Sequence, residues 1–174
     1  MKTSTQLVQF DCSPGDPNRP TSVPIYQSAT FEQETADEMG GYDYSRSGNP
    51  TRDVLRRQLA ALDNGEEAFA FASGMAAITC MASLVHSGEE VIIGTDIYGG
   101  TYRFMERVAR PSGIEIKHVD TTDLDEVRGA LTPKTKLMLI ETPSNPMLRI
   151  SDLRSIANLL HANGTLLAVD ATLM

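Results

Sequence analysis

From Glu67 onward the chain alternates between short, continuously apolar runs and longer segments whose apolar residues recur at helical spacing. Unbroken apolar runs are typical of strands buried in a parallel sheet, and such strands need helical crossovers between them. The pattern predicts an α/β fold, with a mostly parallel sheet covered by helices on both faces. The predicted strands are Ala68–Phe71, Val91–Ile93, Ile114–Val119, Leu137–Ile140 and Leu166–Val169, and the predicted helices are Gly74–His86, Thr101–Arg110, Leu124–Leu131 and Asp152–Asn163.

One more helix is predicted just before this region. Asn49 is a favoured N-cap residue, and Pro50 suits the first helical position because the helix needs no N–H there. Gly65 is a typical stop signal. The apolar stripe between these two ends consists of Leu55, Leu59 and Leu62.

The first 31 residues contain four prolines, and each proline removes a backbone donor and disfavours helix in the residue before it. We predict an extended N-terminal arm that lies on the body of the protein or on a partner subunit; a frayed terminus is the alternative. We divide the chain into residues 1–48, the arm and a loop, and 49–174, the first part of the α/β domain. We expect this domain to be incomplete, because the sequence stops directly after a predicted buried strand.

Composition narrows the range of partners. The chain has 174 residues, 41% of them hydrophobic, and a net charge of −8, without a basic cluster that could hold nucleic acid. A small metabolite is the expected partner. The two cysteines, Cys12 and Cys80, are too few for a disulfide framework, and Cys80 is predicted to be a core residue. No apolar stretch is long enough to span a membrane and no secretory signal is visible, so the cytoplasm is the default location.

Four polar stretches follow predicted strands, and the carboxyl ends of parallel strands meet at one edge of the sheet, where ligands bind. The first of them, Ser73–Met75, opens a helix, whose free N–H groups and positive dipole end favour a phosphate. A nucleotide is a poor candidate, because both G-x-G-x-x-G and G-x-x-x-x-G-K-[ST] are absent. The four stretches are Ser73–Met75, Asp96–Gly100, Glu141–Pro146 and Asp170–Thr172.

Pyridoxal phosphate fits this set of residues. Backbone amides near Ser73–Met75 would hold its phosphate, Tyr98 could stack on its ring, and Asp170 could hold the proton of the ring nitrogen. Each signal has a structural alternative, since an Asp that closes a strand is often a turn residue and a Tyr before Gly-Gly is often a packed loop residue. Other chemistries fit less well. Ser73 lacks the G-x-S-x-G context of a hydrolase nucleophile, and the three histidines have no ligand at metal spacing.

Five motifs carry a family resemblance that extends over nearly the whole chain. They are Tyr44-Ser45-Arg46-Ser47-Gly48-Asn49-Pro50-Thr51, Ser73-Gly74-Met75-Ala76-Ala77, Asp96-Ile97-Tyr98-Gly99-Gly100, Glu141-Thr142-Pro143-Ser144-Asn145-Pro146 and Val169-Asp170-Ala171-Thr172. In this order the chain resembles the pyridoxal-phosphate-dependent enzymes of cysteine and methionine metabolism, and among them the cystathionine β-lyases most. The resemblance implies an aminotransferase-like (fold-type I) large domain. It also implies a C–S lyase that converts cystathionine to homocysteine, pyruvate and ammonia; γ-synthase, γ-lyase and methionine γ-lyase activities are the alternatives.

The resemblance also implies roles for particular residues. Tyr44 and Arg46 would reach the cofactor phosphate of a neighbouring subunit, so that the active site needs at least a dimer, with a tetramer expected. Ser73, Gly74 and Met75 would hold the phosphate of their own subunit. The remaining cofactor contacts would come from Tyr98 on the ring, which is also the expected catalytic residue, Asn145 near the phenolic oxygen, Asp170 at the ring nitrogen and Thr172 beside it.

The chain departs from the family pattern at two places. Ala171 stands where the family usually has Asn, which could loosen Asp170. The family's Schiff-base lysine has no counterpart, because none of the four lysines, Lys2, Lys117, Lys134 and Lys136, lies in a matching motif. Two other hypotheses therefore remain: a non-catalytic or complementing half that assembles with a complementary C-terminal chain, and a domain that binds a phosphorylated metabolite without covalent chemistry.

Overall fold

A computed structural model of the chain describes residues 2–8 and 15–174, so Cys12 and Pro14 lie outside the described residues. The chain forms two compact units, residues 1–71 and 72–174. The predicted division after residue 48 separates an arm that contacts a neighbouring subunit from the α/β domain, and it stays a prediction. The helix α2 (Pro50–Asp63) belongs to the first unit.

The described part of the first unit contains two helices. The first, α1 (Thr3–Val8), was not expected from the proline-rich sequence, whereas residues 15–29 contain no helix or strand, as predicted. The start of α2 confirms the predicted cap, because the side chain of Asn49 accepts the N–H of Thr51 at 2.9 Å. The helix ends where Asn64 adopts a left-handed conformation, one residue before Gly65.

The second unit is an α/β sandwich with four parallel strands in the order β2-β1-β3-β4. This confirms the predicted parallel sheet. The strands are β1 (Glu90–Gly94), β2 (Glu115–Val119), β3 (Thr135–Glu141) and β4 (Leu166–Asp170). The helices are α3 (Gly74–Ala82), α4 (Gly99–Phe104), α5 (Leu124–Ala130) and α6 (Leu153–Asn163).

Alternate residues of each central strand pack into different cores, as helices on both faces require. Val91 and Ile93 of β1 join a core that includes Ile78 of α3 and Met105. Ile92 of the same strand joins a second core that includes Ile156 of α6. All three β1 side chains are fully buried.

The predicted strand Ala68–Phe71 is wrong, because these residues form no strand. The carbonyl of Ala68 accepts the Nε–H of Arg56 at 2.7 Å instead of joining a ladder. The Arg56 guanidinium lies 5.2 Å from the centroid of the Phe69 ring, and both phenylalanines are exposed.

Two predicted helices are shorter in the structure. The predicted helix Gly74–His86 ends at Ala82. The predicted helix Thr101–Arg110 is an α-helix only through Phe104; a π-helical turn follows at Met105–Ala109 and a 3₁₀ turn at Arg110–Ser112. Pro111 gives a physical reason, because it has no N–H to donate and its ring crowds the preceding turn. The prediction that Cys80 is a core residue is also wrong. Ile78 and Ala82 form the buried face of α3, and Cys80, two residues from each, is exposed.

Candidate functional site

The polar stretches after β1, β3 and β4 meet at the carboxyl edge of the sheet. Glu141 and Asp170, the last residues of β3 and β4, lie opposite each other in the ladder. The N–H of Thr142 donates to the carbonyl of Asp170 at 3.1 Å, which extends the pairing one residue beyond the strands. The structure thus brings together the sequence-predicted residues of these stretches.

The start of α3 has the donor set of an anion site. Ser73 is the N-cap in an extended conformation, and its Oγ and carbonyl oxygen accept the N–H of Ala76. Among the described residues no acceptor binds the N–H of Gly74 or of Met75, and the first turn carries no acidic side chain. A Cβ at Gly74 would meet nothing within 4 Å, so the space beside these amides is open. Two free amides at the positive end of a helix fit a phosphate group.

Tyr98 stands at the start of α4 and is held from two sides. Its N–H donates to the Glu141 carboxylate at 2.5 Å. Its ring lies so close to Gly100 that a Cβ there would come within 2.3 Å of the ring. The side chain is 44% exposed, so part of the ring is available to a ligand.

Asp170 ends β4 with one carboxylate oxygen engaged and one free. Its Oδ1 accepts both the N–H and the hydroxyl of Thr172, at 3.1 and 2.5 Å. The other oxygen accepts no hydrogen bond within residues 2–8 and 15–174. Thr172 therefore orients Asp170 although position 171 carries an alanine. A free carboxylate oxygen has the chemistry required to hold a protonated ring nitrogen.

Sequence reasoning did not identify Glu141 as a functional residue. It is 5% exposed, and its carboxylate accepts the N–H of Tyr98. Burial raises the pKa of Glu141, and the negative charges of Asp170 and Asp96 raise it further. An acidic residue directly after the apolar run of β3 was the available signal. Asn145 itself is exposed.

In the first unit, a well-bonded loop presents Tyr44 and Arg46. Tyr44 forms an antiparallel bridge with Thr30, and the side chain of Arg52 donates to the carbonyls of Ser45 and Arg46 at 3.1 Å each. Both Tyr44 and Arg46 are exposed, and the Arg46 guanidinium lies 5.6 Å from the centroid of the Tyr44 ring. The loop backbone is thus fixed while these two side chains face outward.

In the part of the chain that the structure describes, no three His, Cys, Asp or Glu side chains are grouped as metal ligands. None of the described helices combines the length and the apolar character needed to cross a membrane.

The parallel sheet, the free amides at the start of α3 and the polar side chains at the carboxyl edge define an α/β protein with groups that suit a phosphorylated aromatic cofactor. A family model described as Cys/Met metabolism PLP-dependent enzyme matches residues 4–174. The chain belongs to this family, whose cofactor is pyridoxal 5′-phosphate. The resemblance that the motifs indicated is therefore confirmed.

Individual relatives agree with this assignment. Cystathionine beta-lyase, chloroplastic, of Arabidopsis thaliana is 49% identical over 171 residues, which are 98% of this chain and 37% of the relative. Mimosinase, chloroplastic, of Mimosa pudica is 49% identical over 172 residues, 98% of this chain and 39% of the relative. The crystal structure of cystathionine gamma-lyase from Lactobacillus plantarum complexed with L-serine has a TM-score of 0.93 at 43% identity, and the match covers 98% of this chain and 45% of that one.

The structural match confirms the predicted fold-type I architecture. The chain spans between 37% and 45% of the length of these three proteins.

Proposed function

We propose that this chain is part of a pyridoxal-phosphate-dependent C–S lyase that converts cystathionine and water to homocysteine, pyruvate and ammonia. The observation that carries the proposal is the pair of free amides at Gly74 and Met75 in the same unit as the free carboxylate oxygen of Asp170. The names of the relatives support the lyase class, and 49% identity to a cystathionine β-lyase supports β-elimination.

The residues present fit the cofactor. Ser73, Gly74 and Met75 would bind its phosphate, Asp170 would hold the proton on its ring nitrogen, and Tyr98 would stack on its ring. Thr172 keeps the Asp170 carboxylate oriented. Asn145, on the loop after β3, would contact the phenolic oxygen of the cofactor. Bound pyridoxal phosphate supplies an electron sink when the α-proton of an amino acid is removed. Tyr98 is the residue of this chain that we propose to assist proton transfer.

We further propose that Tyr44 and Arg46 bind the phosphate held by a neighbouring subunit, so that the enzyme works as a dimer or a tetramer of dimeric units. Their exposure on a fixed loop supports this role, and the forked donors of Arg46 match phosphate oxygens.

Within residues 72–174, no lysine lies at the carboxyl edge of the sheet as a candidate for covalent catalysis. Lys117 donates to Glu90 at 2.9 Å, at the opposite edge of the sheet, and Lys134 and Lys136 flank the start of β3 there. We propose that the lysine belongs to a part of the enzyme outside these 174 residues. The same observation favours a second candidate function, a non-catalytic or complementing half-subunit.

The test is a product assay on the full-length gene product with cystathionine and pyridoxal phosphate. β-Elimination predicts equal amounts of homocysteine and pyruvate, whereas γ-elimination would give cysteine and 2-oxobutyrate instead. Cofactor binding without any product would favour the complementing half, and intact mass would then show whether a second chain accompanies an 18.9 kDa species. Failure to bind pyridoxal phosphate would contradict the proposal.

Cellular context is also proposed. We place the reaction in methionine biosynthesis and in the cytoplasm, where the exposed free thiol of Cys80 would stay reduced. The relative from Arabidopsis thaliana is named chloroplastic, so cell fractionation is the test that distinguishes the two locations.

A further inference from the structure

Glu141 is a buried carboxylate without a cationic partner. It is 5% exposed, and none of the ion pairs among the described residues includes it. Buried charges are normally paired, because leaving water is costly for them. This carboxylate instead accepts the backbone N–H of Tyr98, on the loop after β1, and the backbone of Asn145, on the loop after β3, is close enough to lower its pKa.

A second carboxylate connects the same two loops in the opposite direction. Asp96 lies on the loop after β1 and accepts the hydroxyl of Ser144 and, at 3.2 Å, the N–H of Met147. Ser144 is 3% exposed, so this contact is also sheltered from water. The end of β3 therefore contributes a carboxylate that binds the loop after β1, and the loop after β1 contributes a carboxylate that binds the loop after β3.

Glu90 provides a useful contrast to Glu141. Both are 5% exposed glutamates at the ends of neighbouring strands, but Glu90 lies at the amino edge. Burial alone would raise the pKa of Glu90, yet hydrogen bonds from Thr132, Lys117 and Thr135 outweigh it and lower the pKa. The pKa of Glu141 is raised, so its ionised form makes the fold less stable rather than more. A buried charge that does not stabilise its fold is characteristic of a functional site.

We propose that Glu141 and Asp96 form a reciprocal tie that positions Tyr98 and Asn145 at the cofactor, which makes Glu141 a positioning residue of the pyridoxal phosphate site. The inference rests on the proposed function, since it concerns the residues that we expect to face the ring. The tie fixes the spacing of the two loops, while Gly100 leaves the space that the Tyr98 ring occupies. Loss of the tie would leave the phosphate cradle at α3 intact and free the ring contacts to move.

The test compares Glu141→Gln with Glu90→Gln in the full-length gene product. Both variants replace an equally buried glutamate of the sheet, but Glu90 lies at the opposite edge, where Lys117, Thr132 and Thr135 bind it. We expect Glu141→Gln to weaken pyridoxal phosphate binding about tenfold, the equivalent of one charge-assisted hydrogen bond. We also expect it to reduce the circular dichroism band of the bound cofactor and to speed hydrogen exchange of the Tyr98 amide in the cofactor-free protein.

Glu90→Gln should leave cofactor affinity and the dichroism band unchanged while lowering thermal stability. If the wild-type protein binds the cofactor but the two variants change affinity and dichroism equally, the positioning role of Glu141 is overturned and the proposed function stands. A wild type that binds no cofactor would overturn the proposed function as well. If Glu141→Gln does not fold, Asp96→Asn decides the question, because it weakens the other half of the tie and should reduce the same dichroism band.

Discussion

Glu106 connects the π-helical turn to the edge strand β2, and its contribution to stability can be worked out from its contacts. Its carboxylate accepts Nε and Nη2 of Arg110 at 2.7 and 2.9 Å, and it lies 2.7 Å from Nε2 of His118 on β2. Arg110 also donates to the carbonyl of Ile116, at 2.9 Å. The hydrogen bonds from Arg110 and then His118 lower the pKa of Glu106 from 4.5 to about 2.

A pKa lowered from 4.5 to about 2 sets an upper limit of about 3.4 kcal/mol on the stabilisation by Glu106. The side chains of Glu106 and Arg110 are 22% and 43% exposed, so solvent screening reduces the expected value to about 1–2 kcal/mol. Because the folded-state pKa is lowered, this stabilisation is complete above about pH 4.5. It is lost as the pH falls through about 2.

We therefore predict that Glu106→Gln lowers the free energy of local opening of β2 by about 1–2 kcal/mol at pH 7, and by progressively less toward pH 2.5. Hydrogen exchange of the β2 amides in the full-length gene product measures this free energy. The control is Glu66→Gln, which changes an exposed glutamate in the other unit. Identical β2 exchange in the two variants at pH 7, or a difference that does not shrink at low pH, would refute the reasoning.

Three further predictions concern Gly100, Thr101 and the pair of Arg46 and Asp170. Gly100→Ala should displace the Tyr98 ring and alter the dichroism of bound cofactor. It should not lower stability, since alanine favours helix over glycine by about 1 kcal/mol. An unchanged dichroism band would contradict the close approach of the Tyr98 ring to Gly100. Thr101→Val should raise the free energy of unfolding, measured by urea denaturation, by about 1 kcal/mol. The reason is that the fully buried Thr101 hydroxyl has no hydrogen-bond partner among the described residues. A clear loss of stability would show that the hydroxyl does have a partner. Subunits that carry Arg46→Ala and subunits that carry Asp170→Ala should regain about a quarter of wild-type activity when they are mixed and allowed to re-associate. Half of the dimers then contain one subunit of each kind, and each of these mixed dimers has one intact site out of two. No recovery on mixing would count against a shared site.

Much of the fold could be predicted because strands that are buried on both faces are continuously apolar in sequence. The runs at Val91–Ile93 and Leu137–Ile140 correspond to β1 and β3, which are covered on both faces. The run at Ala68–Phe71 is also continuously apolar, but Arg56 binds the carbonyl of Ala68 and both phenylalanines are exposed. Periodicity cannot distinguish these two cases, because it does not reveal which neighbour the backbone finds.

The candidate site was predictable to the extent that it depends on strand ends. The convergence of Glu141 and Asp170 follows from parallel topology, which the alternating pattern indicates. The bonds between loops could not be predicted, since they depend on the path of each loop. The tie from Asp96 to Ser144 joins residues 48 positions apart, and no sequence spacing requires it. The contact of Thr172 with Asp170 is local, since the two residues are two positions apart, and it is typical of an Asp in a turn.

The amides at the start of α3 would bind the phosphate of pyridoxal phosphate, and the proposed function depends most on this contact. The most direct measurement compares the affinities of the full-length gene product for pyridoxal 5′-phosphate and for pyridoxal, which lacks the phosphate. Two charge-assisted hydrogen bonds from Gly74 and Met75 predict at least about 100-fold tighter binding of the phosphorylated form. Equal affinities for the two compounds would contradict the account.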